Sequence, residues 1–228
     1  MASSSVREGF DRIAGEYDAL KLRVIPGYRE VQALVDRYAA LPGRRSTRVL
    51  ELGSGTGEWA GRFLARHPEA LFEGVEFSEQ MRRIAGHRLE PFRERVRLHD
   101  TDLNDALPGG CFDLVVSLFA LHHVRDKERL IAEVAARLAE GGCFLWADIT
   151  TAPTAALEQL FIDDWVAFMR QAGLEEERIP HVLQDHREND LPERVETLLG
   201  FMQRAGFDPA AAVWSHGKFA LLLGRRSS

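Results

Sequence analysis

Five short apolar runs, separated by segments of helical period, constrain the fold of this chain more than any other feature. The runs are 48–53, 71–78, 96–102, 112–121 and 142–149. Several are apolar nearly throughout, as strands must be when both faces of their sheet are covered. Between them, residues 59–66, 78–89 and 127–139 read as helices. The last of these carries Leu130, Ile131, Val134 and Leu138 on one stripe and is expected to stop at Gly141 and Gly142. Strand and helix in alternation predict an α/β fold on a doubly wound, mostly parallel sheet.

Past residue 150 the pattern changes. Leu157, Leu160, Phe161, Trp165 and Phe168 mark an amphipathic helix ending near Gly173, followed by a polar stretch over 174–190. Another helix is expected from Pro192, carrying Val195, Leu198, Leu199 and Met202 and ended by Gly206. The runs 211–215 and 218–224, joined at His216 and Gly217, read as an antiparallel hairpin that closes the sheet.

At 228 residues, 45% hydrophobic and 28% charged, the chain can bury a full core in one domain over 1–228. A net charge of −6 gives no general basic surface and argues against a nucleic-acid partner. Cys111 and Cys143 each adjoin an apolar run and read as reduced core residues, which suits a cytoplasmic protein. Residues 1–15 lack the apolar core of a signal peptide, and nothing approaches the roughly 20 apolar residues of a membrane span.

Chemistry concentrates at the ends of the strands. Gly53, Gly55 and Gly57 follow the first strand directly, so the main chain can turn tightly and approach a ligand, with a helix N-terminus aimed at it. That describes a nucleotide-type site without naming the nucleotide. Residues 55–60 also satisfy the G-x-G-x-x-A pattern of dinucleotide binders. Glu51, however, would repel a pyrophosphate, whereas it can hold the ammonium of an amino-acid-like cofactor. Glu76 ends the second strand, where a carboxylate can accept both ribose hydroxyls. Asp102 ends the third and can accept an adenine amino group, with Leu103 packed on the ring. Singly, each acid also reads as a turn cap or a solvated strand end. Together, around one crevice, they point to S-adenosyl-L-methionine.

The stretches "VLELGSGTG", "GVEFSEQM", "FDLVVSLFALHHV", "RLAEGGCFLWAD" and the late "AGF" resemble the class I S-adenosylmethionine-dependent methyltransferases of small-molecule type. The resemblance runs from about residue 10 to residue 224. It implies a Rossmann-like sheet of seven strands whose last strand inserts antiparallel. It also implies roles: Glu51, Gly53 and Gly55 around the methionine part, Glu76 at the ribose, and Asp102 and Leu103 at the adenine, with Ser54, Phe77 and Met81 also in contact with the cofactor. Ser117 to Phe119 would lie along the cofactor's edge and Tyr17 would close over it. At the third strand Asp100 is the alternative to Asp102.

A sulfonium methyl is already activated, so the protein need only place a nucleophile in line and remove a proton where required. Accordingly no zinc-spaced cysteines or histidines, no G-x-S-x-G and no P-loop are found, and no metal is expected. His122, after the fourth strand, is the candidate catalytic base, ahead of its neighbour His123; His181 and His186 lie in the polar stretch. Phe10, Ile13, Ala14 and Tyr17 fall on one helical face. Residues 1–40 are expected to form a helical lid, and 153–205, with Trp165, Phe168 and Arg170, a helical insert that roofs the pocket of a small-molecule substrate. The acceptor is an oxygen, nitrogen or carbon atom, and the assembly a monomer or homodimer.

"VIPGY" and the insert also resemble carboxy-S-adenosylmethionine synthases, which remodel the cofactor for tRNA wobble-uridine modification. The arginine that contacts the extra carboxylate in those enzymes falls at Leu183, which cannot hold it. A nicotinamide-dependent oxidoreductase is a third reading, opposed by Glu51 and the terminal hairpin.

Overall fold

The structure, a computed structural model, describes residues 4–39 and 48–227. Seven strands form one sheet: β1 (Arg48–Leu52), β2 (Leu71–Val75), β3 (Val96–His99), β4 (Phe112–Leu118), β5 (Leu138–Ile149), β6 (Phe207–His216) and β7 (Phe219–Arg226). Their order is β3-β2-β1-β4-β5-β7-β6. The first five pair in parallel, and β7 inserts antiparallel between β5 and β6. The strand order reverses between β1 and β4, which is where open α/β sheets leave a ligand crevice.

Period-two alternation sends the strand residues into two cores. Val49, Leu114 and Val116 pack with Trp59, Phe63 and Val35 on one face, on α3 (Tyr28–Ala39) and α4 (Glu58–Arg66). Leu50, Leu52 and Val115 pack with Ile131, Val134 and Met202 on the other, on α6 (Lys127–Arg137) and α9 (Val195–Arg204). Glu51 shares a face with Val49, so its carboxyl is folded under the first of these layers.

Four expectations need correction. The helix after β4 stops at Arg137, and Leu138 already pairs with Phe112. Gly142 does not end a helix. It lies in β5 at a register shift, where an added Cβ would stand 2.8 Å from the Ala139 carbonyl oxygen. The amino-terminal stripe is divided between α1 (Ser4–Ile13) and α2 (Tyr17–Val24), with Glu16 N–H donating to the Ile13 carbonyl in the turn between them. The polar stretch contains a helix, α8 (Ile179–Asn189), that buries Ile179 and His186. Finally, β3 ends at His99, so Asp102 belongs to the following loop.

α7 (Ala155–Gln171) turns Trp165 and Met169 inward and leaves Leu160 half exposed. The Trp165 indole N–H donates to the Val24 carbonyl at 2.7 Å, fastening α7 to α2. Among the described residues no helix is long and apolar enough to cross a membrane.

Candidate active site

The turn after β1 is held by its main chain. Gly53 and Ser54 N–H both donate to the Val75 carbonyl, at 2.9 and 3.0 Å, which draws the loop across the end of β2. Gly53 has φ +72°, and a Cβ there would lie 2.3 Å from Ala120 Cβ. Only glycine meets both conditions. The loop therefore touches the segment after β4 across the switch point.

Glu76 completes the turn from below. Its Oε2 accepts from Gly55 N–H at 2.9 Å and its Oε1 from Ser78 N–H at 2.8 Å. Burial pushes its carboxyl above the usual carboxylate range, and the two N–H groups draw it partly back. An ionised carboxylate has about four acceptor positions, so both oxygens retain capacity for a ligand.

Beside Glu76 lies a cleft with about 580 Å³ of empty space, part of it open to solvent. Tyr17, Gly53, Gly55, Glu76, Phe77 and Met81 line one part of it, and Asp102, Leu103 and Asn104 another. Asp102 accepts from Asn104 N–H at 2.9 Å and is buried. Asp100 instead pairs with Arg82 at 2.8 Å, with 60% of its side chain exposed. It is Asp102 that borders the cavity.

Three of the expected residues do not line it. Ser117 is fully buried and donates its hydroxyl to the Leu52 carbonyl at 3.0 Å, so its side chain is turned away from this cavity. Ser54 turns its hydroxyl back over Gly74, where an added Cβ would stand 2.8 Å away. Glu51 lies behind the glycine loop. Burial raises its carboxyl well above the usual range against the pull of Lys21, and its Oε2 is a buried atom with no hydrogen-bond partner. An oxygen of this kind, next to a bare main chain and a second buried acid, fits a ligand that brings its own cation. S-adenosylmethionine carries an ammonium and a ribose diol, and the residues present suit both.

A second cavity, with about 770 Å³ of empty space, opens on the other side of the same wall. Leu20, Val24, Ile25, Ile149, Trp165 and Phe219 make it apolar; His122, His123 and Asp190 stand at its polar end. The two cavities share Phe10, Tyr17, Phe119 and His123. Phe119 has φ +60°, the one positive value among the described non-glycine residues. For a bulky side chain this is a strained conformation of the kind that concentrates at ligand sites.

His122 bonds Asp148 Oδ1 through Nδ1, and its Nε2 lies 3.7 Å from Asp190 Oδ1. Burial lowers its pKa, but the Asp190 and Asp148 carboxylates outweigh that and raise it to about 9. The two carboxylates thus favour the charged ring of His122, whereas the sequence reading takes it as a free base. Burial and the neighbouring His122 charge push His123 down to about 4, so it is the neutral imidazole of the pair. His186 bonds Asp190 at 2.7 Å and packs edge-on against Trp165, whereas His181 is exposed. Leu183 is half-buried against the core.

Sequence reasoning placed Phe119 at the cofactor's edge without any sign of its backbone strain, and left Asp190 out of the site. No sequence pattern reports a single positive φ. Asp190 had a signal, since Ile179, Val182, Leu183 and His186 have helical spacing, and a helix there would end beside it.

Residues 49–142 match a family model described as a methyltransferase domain. The chain is 29% identical to the ubiquinone/menaquinone biosynthesis C-methyltransferase of Acidiphilium cryptum over 89% of its own length and 82% of the relative. It is 32% identical to an uncharacterized methyltransferase of Anoxybacillus flavithermus, over 72% of this chain and 74% of that one. Among solved structures, human N-acetylserotonin methyltransferase in complex with S-adenosylmethionine shares the fold, with TM-score 0.62 at 15% identity. That match covers 97% of this chain and 57% of the longer human one. The chain likewise spans little more than half the length of several other solved structures that it matches.

Proposed function

We propose that this chain, which belongs to the class I S-adenosylmethionine-dependent methyltransferases, methylates a small molecule with an apolar body that sits in the second cavity. The observation that carries this reading is the shared wall of Phe10, Tyr17, Phe119 and His123 between two cavities of unlike character. One has buried acids suited to a nucleoside, and the other has aliphatic and aromatic walls closed by Trp165 and Phe219.

In this reading Glu76 accepts the ribose hydroxyls, Asp102 and Leu103 take the adenine, and Glu51 answers the ammonium. Gly53 and Gly55 let the main chain come close, and Tyr17, Phe77 and Met81 form the walls. When bound, S-adenosylmethionine supplies an electrophilic methyl group on a sulfonium. The chain's part is to hold the acceptor in line at the shared wall and to exclude water. α1 and α2 serve as the lid, and α7 and α8 as the roof. The protein acts in the cytoplasm, a reading supported by the free thiols of Cys111 and Cys143.

The test is acceptor-dependent formation of S-adenosylhomocysteine across a panel of small apolar alcohols, phenols, thiols and amines. Turnover with such a molecule, and a raised KM after Trp165→Ala, is the expected result. Transfer only to tRNA or protein would overturn the small-molecule reading.

A further inference from the structure

Where the second cavity meets the first, one cluster of side chains brings two imidazoles to a single carboxylate oxygen. His122 Nε2 lies 3.7 Å and His123 Nδ1 3.4 Å from the same oxygen, Asp190 Oδ1. His123 Nδ1 is also 3.4 Å from the Asn189 carbonyl. These separations are long for good N–H···O bonds. They are close to the spacing of two ligands on one tetrahedral ion, about 3.3–3.4 Å for metal bonds of about 2.0–2.1 Å. One donor atom from each of the three residues lies within 4.8 Å of the others. The side chains of His122, His123 and Asp190 are only 12%, 14% and 10% exposed.

The surrounding residues orient this set. Asp148 bonds His122 Nδ1 and is itself fixed by the Trp146 indole N–H at 2.7 Å and by Ile149 N–H at 2.9 Å. That fixes the ring and turns Nε2 toward Asp190. His186 bonds Asp190 Oδ2 at 2.7 Å, which presents Oδ1 to the two imidazoles. A metal-binding histidine commonly hands its other nitrogen to a carboxylate in just this way. Lys127 then ties the two segments together, donating to the Val124 carbonyl at 2.7 Å and the Leu191 carbonyl at 2.6 Å. Leu191 N–H adds a bond to the His122 carbonyl at 2.8 Å.

We propose that His122 Nε2, releasing its proton to solvent, together with His123 Nδ1 and Asp190 Oδ1 binds a divalent first-row transition ion, Zn²⁺ by donor set. Two imidazoles and one carboxylate leave a coordination position for a further ligand. His122, His123 and Asp190 all border the second cavity, so that ligand is the acceptor. The acceptor class is then an alcohol, phenol or thiol, whose proton is made more acidic by the ion. This assignment of the acceptor rests on the methyltransferase reading; the ion site itself does not.

The experiment is titration of the tag-free, chelator-treated chain with Co²⁺, followed by calorimetry and visible absorption. S-adenosylhomocysteine binding is measured on the same samples. The expected result is one Co²⁺ per chain, displaced by Zn²⁺, with affinity at least tenfold lower in Asp190→Asn and in His123→Gln. Asp148→Asn should weaken it by about 10–100-fold. A wild-type circular dichroism spectrum and a cooperative unfolding transition show that a variant is folded. Wild-type protein that takes up no Co²⁺, or Co²⁺ affinity unchanged in the folded variants, overturns the site. Loss of S-adenosylhomocysteine binding by the wild type would instead overturn the cofactor reading.

Discussion

The main-chain N–H of Gly55 donates to Glu76 Oε2 at 2.9 Å, joining the turn after β1 to the acid after β2. One carboxylate therefore both shapes the glycine loop and borders the first cavity. Glu76→Gln keeps the size of the side chain and loses the charge-assisted bonds. It should weaken S-adenosylhomocysteine binding by about 1.5–3 kcal/mol, roughly one to two decades, in calorimetric titrations. Glu76→Ala should in addition lower stability by about 1–3 kcal/mol, because Gly55 and Ser78 N–H lose their partner. Unchanged affinity in both variants would mean that the ribose binds elsewhere.

Gly53→Ala should destabilise the fold by about 1–3 kcal/mol in denaturant titrations, through its φ of +72° and a Cβ 2.3 Å from that of Ala120. Ala120→Gly added to it should recover part of the loss. It removes the clash and leaves the backbone strain. A double variant no more stable than Gly53→Ala would show that the contact across the switch point carries no energy.

The glycine loop and the acids Glu76 and Asp102 were legible because they depend on order along the chain: strand, turn, strand, turn. The parallel sheet closed by an antiparallel hairpin followed from the same alternation, whereas the count of seven and the insertion of the last strand came from the family resemblance. What depends on direction in space was not legible. Ser117 lies one residue before the end of β4, yet its hydroxyl points into the sheet. Phe10 and Tyr17 keep their ring contact at 5.9 Å, although the helix expected to carry both is broken between them. The stripe of α8 was hidden by charged neighbours, and with it the approach of Asp190 to His122.

Asp18 ties α2 to the glycine loop, bonding the Thr56 hydroxyl at 2.7 Å and Arg88 at 2.8 Å and pairing with Lys21 at 3.1 Å. Burial alone would raise its pKa, but the Thr56 bond, Lys21 and Arg88 outweigh burial and lower it below 3.8. The unfolded chain then binds this proton more readily than the native one. The stabilisation is full above the unfolded pKa of about 3.9 and is lost as pH falls through the lower folded value. Asp18→Asn should cost on the order of 1 kcal/mol at pH 7 and progressively less below about pH 4. Denaturant titrations from pH 7 to pH 3 check this; a gap independent of pH contradicts it.

Burial pushes the Cys143 thiol up to about 11, against a small opposing effect of Arg225. Cys111 is exposed. A thiol reagent at about pH 8 should therefore modify one cysteine rapidly in the native protein and two after unfolding. Fast reaction at both positions in the native state would show that the sheet opens locally around β5.

The central claim is that the cavity between Glu76 and Asp102 holds the adenosyl cofactor with its sulfur toward the wall shared with the second cavity. A crystal structure of the complex with S-adenosylhomocysteine tests it most directly. The account predicts ribose hydroxyls on Glu76, adenine between Asp102 and Leu103, and the sulfur beside Phe119 and His123. Density for the ligand in any other part of the molecule, or with its ribose away from Glu76, would contradict it.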